Sequence, residues 1–211
     1  MRNAIALLIG SIVITVITGC SGSRSNKVAV VETDLGNFTF MFYPEAAPNH
    51  VNRFIELAQS GFYDGLLFHR VIPEFIIQTG DPQTRDPNAS RSRYGSGGSG
   101  VKLEQEFNDH IHERGTVGMA RTADPFSEDS LFYNSADSQF YICLSRKSHL
   151  DGKYTVFGEV LEGMEVVDAI SSVERDVLNA PISPVAIHNV KIQSLKAFER
   201  KQKEKQSVEK I

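Results

Sequence analysis

The chain of 211 residues contains no tryptophan and only two cysteines. Two thiols allow at most one bridge, which excludes a disulfide-stapled scaffold. A surplus of positive charge is also missing. With 22 basic against 26 acidic side chains the net charge is -4, which argues against non-specific nucleic-acid binding. No serine stands in a G-x-S-x-G elbow, and no spacing links serine, histidine and acid into a nucleophilic set, which argues against covalent hydrolysis. Between Lys27 and Leu195 no low-complexity stretch is long enough to divide the chain into separate domains, so the length fits one domain with appendages.

The hydrophobic residues are spread unevenly. Thirteen of the first 20 belong to the apolar set, in a run from Ala4 to Thr18 behind Arg2. This is the shape of a secretory signal, and it is short for a span of roughly 20 residues. Ile17–Thr18–Gly19–Cys20 resembles the bacterial lipobox, which implies a signal peptide over 1–19 and lipidation at Cys20. Several acyl chains on one residue suffice for stable anchoring. A soluble secreted protein and an uncleaved anchor are the alternatives. Ser21, where aspartate favours inner-membrane retention, leans towards the outer membrane. Residues 20–27 then form a lipidated, polar tether, and 28–195 the folded domain. Residues 196–211, with six basic and three acidic side chains, form a charged tail.

Strands are expected at Val28–Glu32 and Asn37–Tyr43 around the turn Asp34–Leu35–Gly36, then at Leu67–Val71 and Phe75–Gln78 around Pro73. Further strands are expected at Thr116–Ala120, Gln139–Leu144, Thr155–Val160 and Ala186–Leu195. One helix follows Pro44–Pro48, with Val51, Phe54, Ile55 and Leu57–Ala58 on its apolar face and Ser60–Gly61 at its close. A second covers Gly163–Ser171. Eight short strands with two helices predict an all-β closed barrel or sandwich.

Several signals have plain readings. Gly95–Gly100 satisfies G-x-G-x-x-G, but no hydrophobic strand precedes it, so a surface loop is expected rather than a nucleotide site. His110 and His112 lack a recognisable third ligand, so a polar turn is expected rather than a metal site. Cys143 lies in Phe140–Leu144 as a small core hydrophobe. One segment resists this treatment. In Phe68–Asp81 the polar residues Arg70 and Gln78 interrupt an apolar context, and an inward arginine needs partners. An arginine on the outer face of the strand is the alternative.

That segment belongs to FYDGLLFHRVIPEFIIQTGDP (62–82), which with YGSGGSG…EF (94–107), RGTVGMAR (114–121), DSQFYICL (137–144) and LDGKYTVFGEVLEGMEVVDAI (150–170) resembles the cyclophilin-type peptidyl-prolyl cis/trans isomerases. The resemblance runs from about Val28 to Leu195. It implies a closed eight-stranded antiparallel barrel capped by two α-helices. It places the catalytic arginine at Arg70 and the proline pocket at Phe75, Ile76, Tyr141 and Leu150. Gln78 and Gln139 are the paired glutamines, and Met119–Thr122, including Ala120 and Arg121, grips the residue before proline. This chain departs from the best-known eukaryotic members at Ile76, Arg121, Tyr141, Tyr154 and His149. The last stands where an indole binds cyclosporin, which puts drug binding in doubt more than catalysis. The stretch 123–137 is longer and more aromatic than the family loop, so it either overhangs the groove or packs on the barrel.

Rotation about a peptide bond faces a barrier of roughly 18–20 kcal/mol because the nitrogen lone pair is delocalised. Catalysis needs no nucleophile, cofactor or metal, only preferential binding of the twisted state. A permanently charged arginine aimed at the proline nitrogen and its carbonyl supplies that preference. The expectation is a monomeric, lipid-anchored isomerase of the bacterial cell envelope, facing the periplasm. Its partners are proline-containing segments of unfolded or exported proteins, and the membrane through its lipid. A peptide-binding or chaperone module with weakened catalysis is the alternative, and a structural envelope protein a more distant one.

Overall fold

The computed structural model describes residues 26–122 and 129–208. The signal, Cys20 and most of the tether, Pro125 and Phe126 of the aromatic stretch, and the last three residues lie outside the described residues. The strands are β1 (Lys27–Thr33), β2 (Gly36–Phe42), β3 (Arg70–Ile72), β4 (Ile76–Thr79), β5 (Thr116–Met119), β6 (Phe140–Cys143), β7 (Val156–Glu162) and β8 (Ile187–Ser194). The helices are α1 (Pro48–Gln59), α2 (Met164–Ser171) and α3 (Leu195–Val208). Among the described residues no helix is long and apolar enough to cross a membrane.

The strands form one antiparallel sheet in the order β3-β4-β6-β5-β7-β2-β1-β8. The expected closed barrel is therefore corrected to an open one. Its two ends meet at a single bridge, Leu67–Ala186, with Phe68 N–H donating to Val185 O at 3.0 Å and Val71 N–H to Asn179 O at 2.8 Å. The reason lies opposite β3, where residues 173–185 form a loop. Pro181 and Pro184 have no amide to give a ladder, and the expected strand Leu67–Val71 is regular only from Arg70.

Inside the curl, Phe40 and Phe42 of β2 meet α1, Phe40 also meets β7, and Phe38 meets Phe68. Phe40 stands 5.2 Å from Phe54 and 6.1 Å from Phe157, both edge-on. The apolar face foreseen for α1 is buried at Val51, Phe54, Leu57 and Ala58, with Ile55 packed partly buried against the same core. Its N-cap, Ala47, has no side chain to cap with. The Glu106 carboxylate takes that role, accepting from the amides of Asn49 and His50 at 3.0 Å each. Val28 and Met41 point outward from β1 and β2, where Phe198 and Leu195 of α3 cover them. Leu195 N–H donates to Asn26 O at 2.7 Å, so α3 starts beside the beginning of β1.

Candidate active site

A cleft of about 610 Å³ opens along β3, β4 and β6. Register sets its charged edge. Arg70 of β3 stands directly opposite Gln78 of β4, so both side chains emerge on one face. Arg70 Nη1 donates to Gln78 Oε1 at 3.2 Å, and Gln78 Nε2 donates to Gln139 Oε1 at 3.0 Å. Gln139 Nε2 in turn reaches the carbonyls of Gly95 at 2.9 Å and Gly97 at 2.7 Å. The chain of amides fixes the guanidinium from behind. Burial lowers the pKa of half-buried Arg70, while its cationic form persists throughout the ordinary pH range.

The apolar wall is a separate cluster of Ile76, Tyr141, Cys143 and Leu150, with Phe75, Ala120 and Tyr154 against it. Arg70 lies over the Phe75 ring at 5.7 Å, and His149 stacks on the same ring at 5.9 Å. Tyr154 meets Tyr141 edge-on at 6.0 Å. Arg121 lies over Tyr154 at 4.3 Å and over Tyr133 at 5.0 Å, with its Nε donating to Lys153 O. Tyr133 also meets Phe107 edge-on at 4.9 Å, so this end of the aromatic stretch packs on the body of the protein.

The structure brings Arg70, Phe75, Ile76, Gln78, Ala120, Arg121, Tyr141, Leu150 and Tyr154 to one cleft. Gln139 lines an adjoining recess with Lys102, Asp137 and Thr122, and His149, off the cleft's lining, stacks on Phe75. The alternative of an outer-face Arg70 is the one the structure shows: Arg70 and Gln78 alternate with Val71 and Ile77, which join the main core, so the cleft is built on the outer face of the sheet. Sequence reasoning did not find His69, Tyr94, Gly95, Ser96, Arg91, Leu178 or Ala180 on the cleft's lining. The glycine loop was the available signal, and it is built into the body of the protein as well as lying on its surface. The Asp81 carboxylate accepts from the amides of Gly95 and Gly97, and Asp137 from those of Ser99 and Gly100.

His110 and His112 diverge. His110 stacks on Tyr43 at 4.0 Å, whereas His112 is fully buried rather than part of an exposed turn. A carboxylate only accepts, so His112 Nδ1–H donates to Asp151 at 3.0 Å. Its Nε2 then accepts the Tyr141 hydroxyl at 2.9 Å. Burial outweighs Asp151 and keeps the His112 pKa below the usual histidine value. The Tyr141 ring needs Gly118 beneath it: a Cβ there would lie 2.4 Å from the phenol carbon and oxygen. Burial also pushes the Cys143 thiol up to about 12 and pulls His69 down to about 4.

The sequence model of the family described as cyclophilin type peptidyl-prolyl cis-trans isomerase/CLD matches residues 28–192. The Arabidopsis thaliana peptidyl-prolyl cis-trans isomerase CYP18-2 is 38% identical over 164 residues, 77% of this chain and 91% of its own length. A probable peptidyl-prolyl cis-trans isomerase of Brucella abortus is 39% identical over 169 residues, 79% of this chain and 80% of its own. Among solved structures, a Cryptosporidium parvum cyclophilin-type isomerase superposes with a TM-score of 0.68 at 27% identity, covering 80% of this chain and 98% of that one.

Proposed function

Because the chain belongs to the cyclophilin-type peptidyl-prolyl cis-trans isomerase family, we propose that Arg70 is its catalytic residue and the cleft beside it the seat of the substrate proline. The carrying observation is a half-buried guanidinium held by Gln78 at the rim of an apolar cluster. Phe75, Ile76, Tyr141 and Leu150 hold the proline ring by apolar packing. As the X–Pro bond twists, the nitrogen regains its lone pair and the Arg70 donors stabilise that charge more than the planar amide. The difference in binding is the catalysis. Gln78 and Gln139 orient the arginine. Ala120 and Arg121 border the residue before proline, while Tyr154 closes one side and His149 supports Phe75.

The test is cis/trans exchange of an X–Pro peptide by the full chain and by Arg70→Ala. Loss of about 10²–10³ in kcat/KM with the fold intact is expected, and equal rates overturn the assignment. No exchange by the parent protein would make it a peptide-binding module instead.

The lipobox-like sequence Ile17–Thr18–Gly19–Cys20 supports a lipid-anchored protein of the bacterial cell envelope, facing the periplasm and favouring the outer membrane. Its clients there are exported chains arriving with slow prolines, whose uncatalysed isomerisation takes tens of seconds. It works as a monomer. Cys20→Ser should release the protein from the membrane fraction, and unchanged processing and fractionation would refute the anchor.

A further inference from the structure

Three large apolar side chains stand out in water on one short loop. Val177 is 97% exposed, Leu178 53% and Ile182 51%, the highest values among the exposed large hydrophobic residues described. Single exposed hydrophobic residues are ordinary, whereas a cluster on one segment is not. The loop is also tightly pinned. Asp176 accepts from the amides of Leu178 at 2.8 Å and Ala180 at 3.1 Å. Arg91 donates to Asp176, to Pro181 O at 3.0 Å and to Ile182 O at 3.1 Å. Asn179 O accepts from Val71 of β3, and Asn179 takes a left-handed φ of 62° to do so. So many bonds display the apolar side chains rather than hide them.

One residue of the display, Leu178, reaches the cleft, while Val177 and Ile182 stand beyond its lining. Leu178 and Ala180 line the same cavity as Arg70 and Phe75. The polar recess that holds Lys102, Asp137 and Gln139 shares neither residue, so the two features occupy different margins of the cleft. We propose that Val177, Leu178 and Ile182 form a preformed apolar shelf for a large apolar side chain flanking the proline in the same substrate peptide. The occupant follows from continuity: a peptide with its proline beside Arg70 leaves the cleft past Leu178 at that margin. The Asp176 charge is already engaged by Arg91, so the shelf offers an apolar surface, and its rigidity removes an ordering cost from binding. This inference rests on the assignment of the cleft to proline.

The experiment uses the full chain and proline peptides that differ only by leucine or serine beside the proline, on either side of it. Binding is followed by fluorescence titration and turnover by cis/trans exchange. On one of the two sides leucine should improve Kd and kcat/KM about tenfold, equivalent to about 1.4 kcal/mol. Leu178→Asp and Val177→Asp should bring that ratio close to one; Val177 stands almost wholly in water, so its substitution leaves the fold intact. A ratio near one on both sides in the parent protein overturns the shelf, as does a tenfold ratio that survives both substitutions. A parent protein that sediments as a dimer split by Val177→Asp also overturns it, since the patch would then join two copies. Absence of exchange with every peptide refutes the isomerase reading of the cleft instead, while the binding ratio still reports on the shelf.

Discussion

Tyr141 carries two tasks in one side chain. Its ring lines the cleft, and its hydroxyl is buried against His112, which burial keeps neutral. Tyr141→Phe retains the ring but leaves His112 Nε2 without its donor in a dry site. An orphaned buried acceptor costs about 1–3 kcal/mol, so urea unfolding should show a loss of that size; a variant as stable as the parent would mean that the hydroxyl is not buried in solution. Arg70 and Gln78 were legible in the sequence because polar residues broke an apolar run. The His112–Tyr141 bond was not. Its partners lie 29 residues apart, and only the folded sheet and the room left at Gly118 bring them together.

Elements draw on residues far outside themselves. The periodic apolar face of α1 was readable, but its cap comes from Glu106, which no local capping pattern reveals. Glu106→Ala removes acceptors for two helix amides and the 2.6 Å partner of buried His50. A loss of about 2–3 kcal/mol is expected in denaturant unfolding, and a loss under about 0.5 kcal/mol would show that water replaces the carboxylate. The same holds at the other end of the chain. The charge pattern marked 196–211 only as a charged tail, and Phe198 makes it, as far as Val208, a docked helix by covering Val28 and Met41. Phe198→Ala should cost about 3 kcal/mol and raise amide exchange along α3; unchanged exchange there would show that the helix stands without its contact.

Across the whole molecule, three buried histidines have lowered pKa values, chiefly through burial: His50, His69 and His112. Each binds its proton more weakly folded than unfolded, so stability is complete above pH 6.5 and falls as the pH drops towards the folded values. His69 alone, going from 6.5 to about 4, should remove about 2–3 kcal/mol between pH 7.5 and 4.5. Urea midpoints at these two pH values measure the loss, and equal midpoints would contradict the burial of these rings. The strand count and most strand positions were legible from alternation and turns. Closure was not, because whether two sheet ends zip together depends on what the loop at 173–185 places opposite β3, and hydrophobic pattern does not encode that.

Cys143 gives the molecule a built-in clock for its own opening. It sits on β6, between β4 and β5, behind the cleft and wholly buried with a neutral thiol. Only a thiolate reacts readily with alkylating agents, so labelling has to wait for the strands of the site to come apart. In Cys20→Ser the label is then carried by one thiol, and its rate as denaturant rises separates local breathing around the cleft from global unfolding. Rates that track the urea unfolding curve indicate one cooperative unit; rates that run ahead of it would show that the catalytic strands open first.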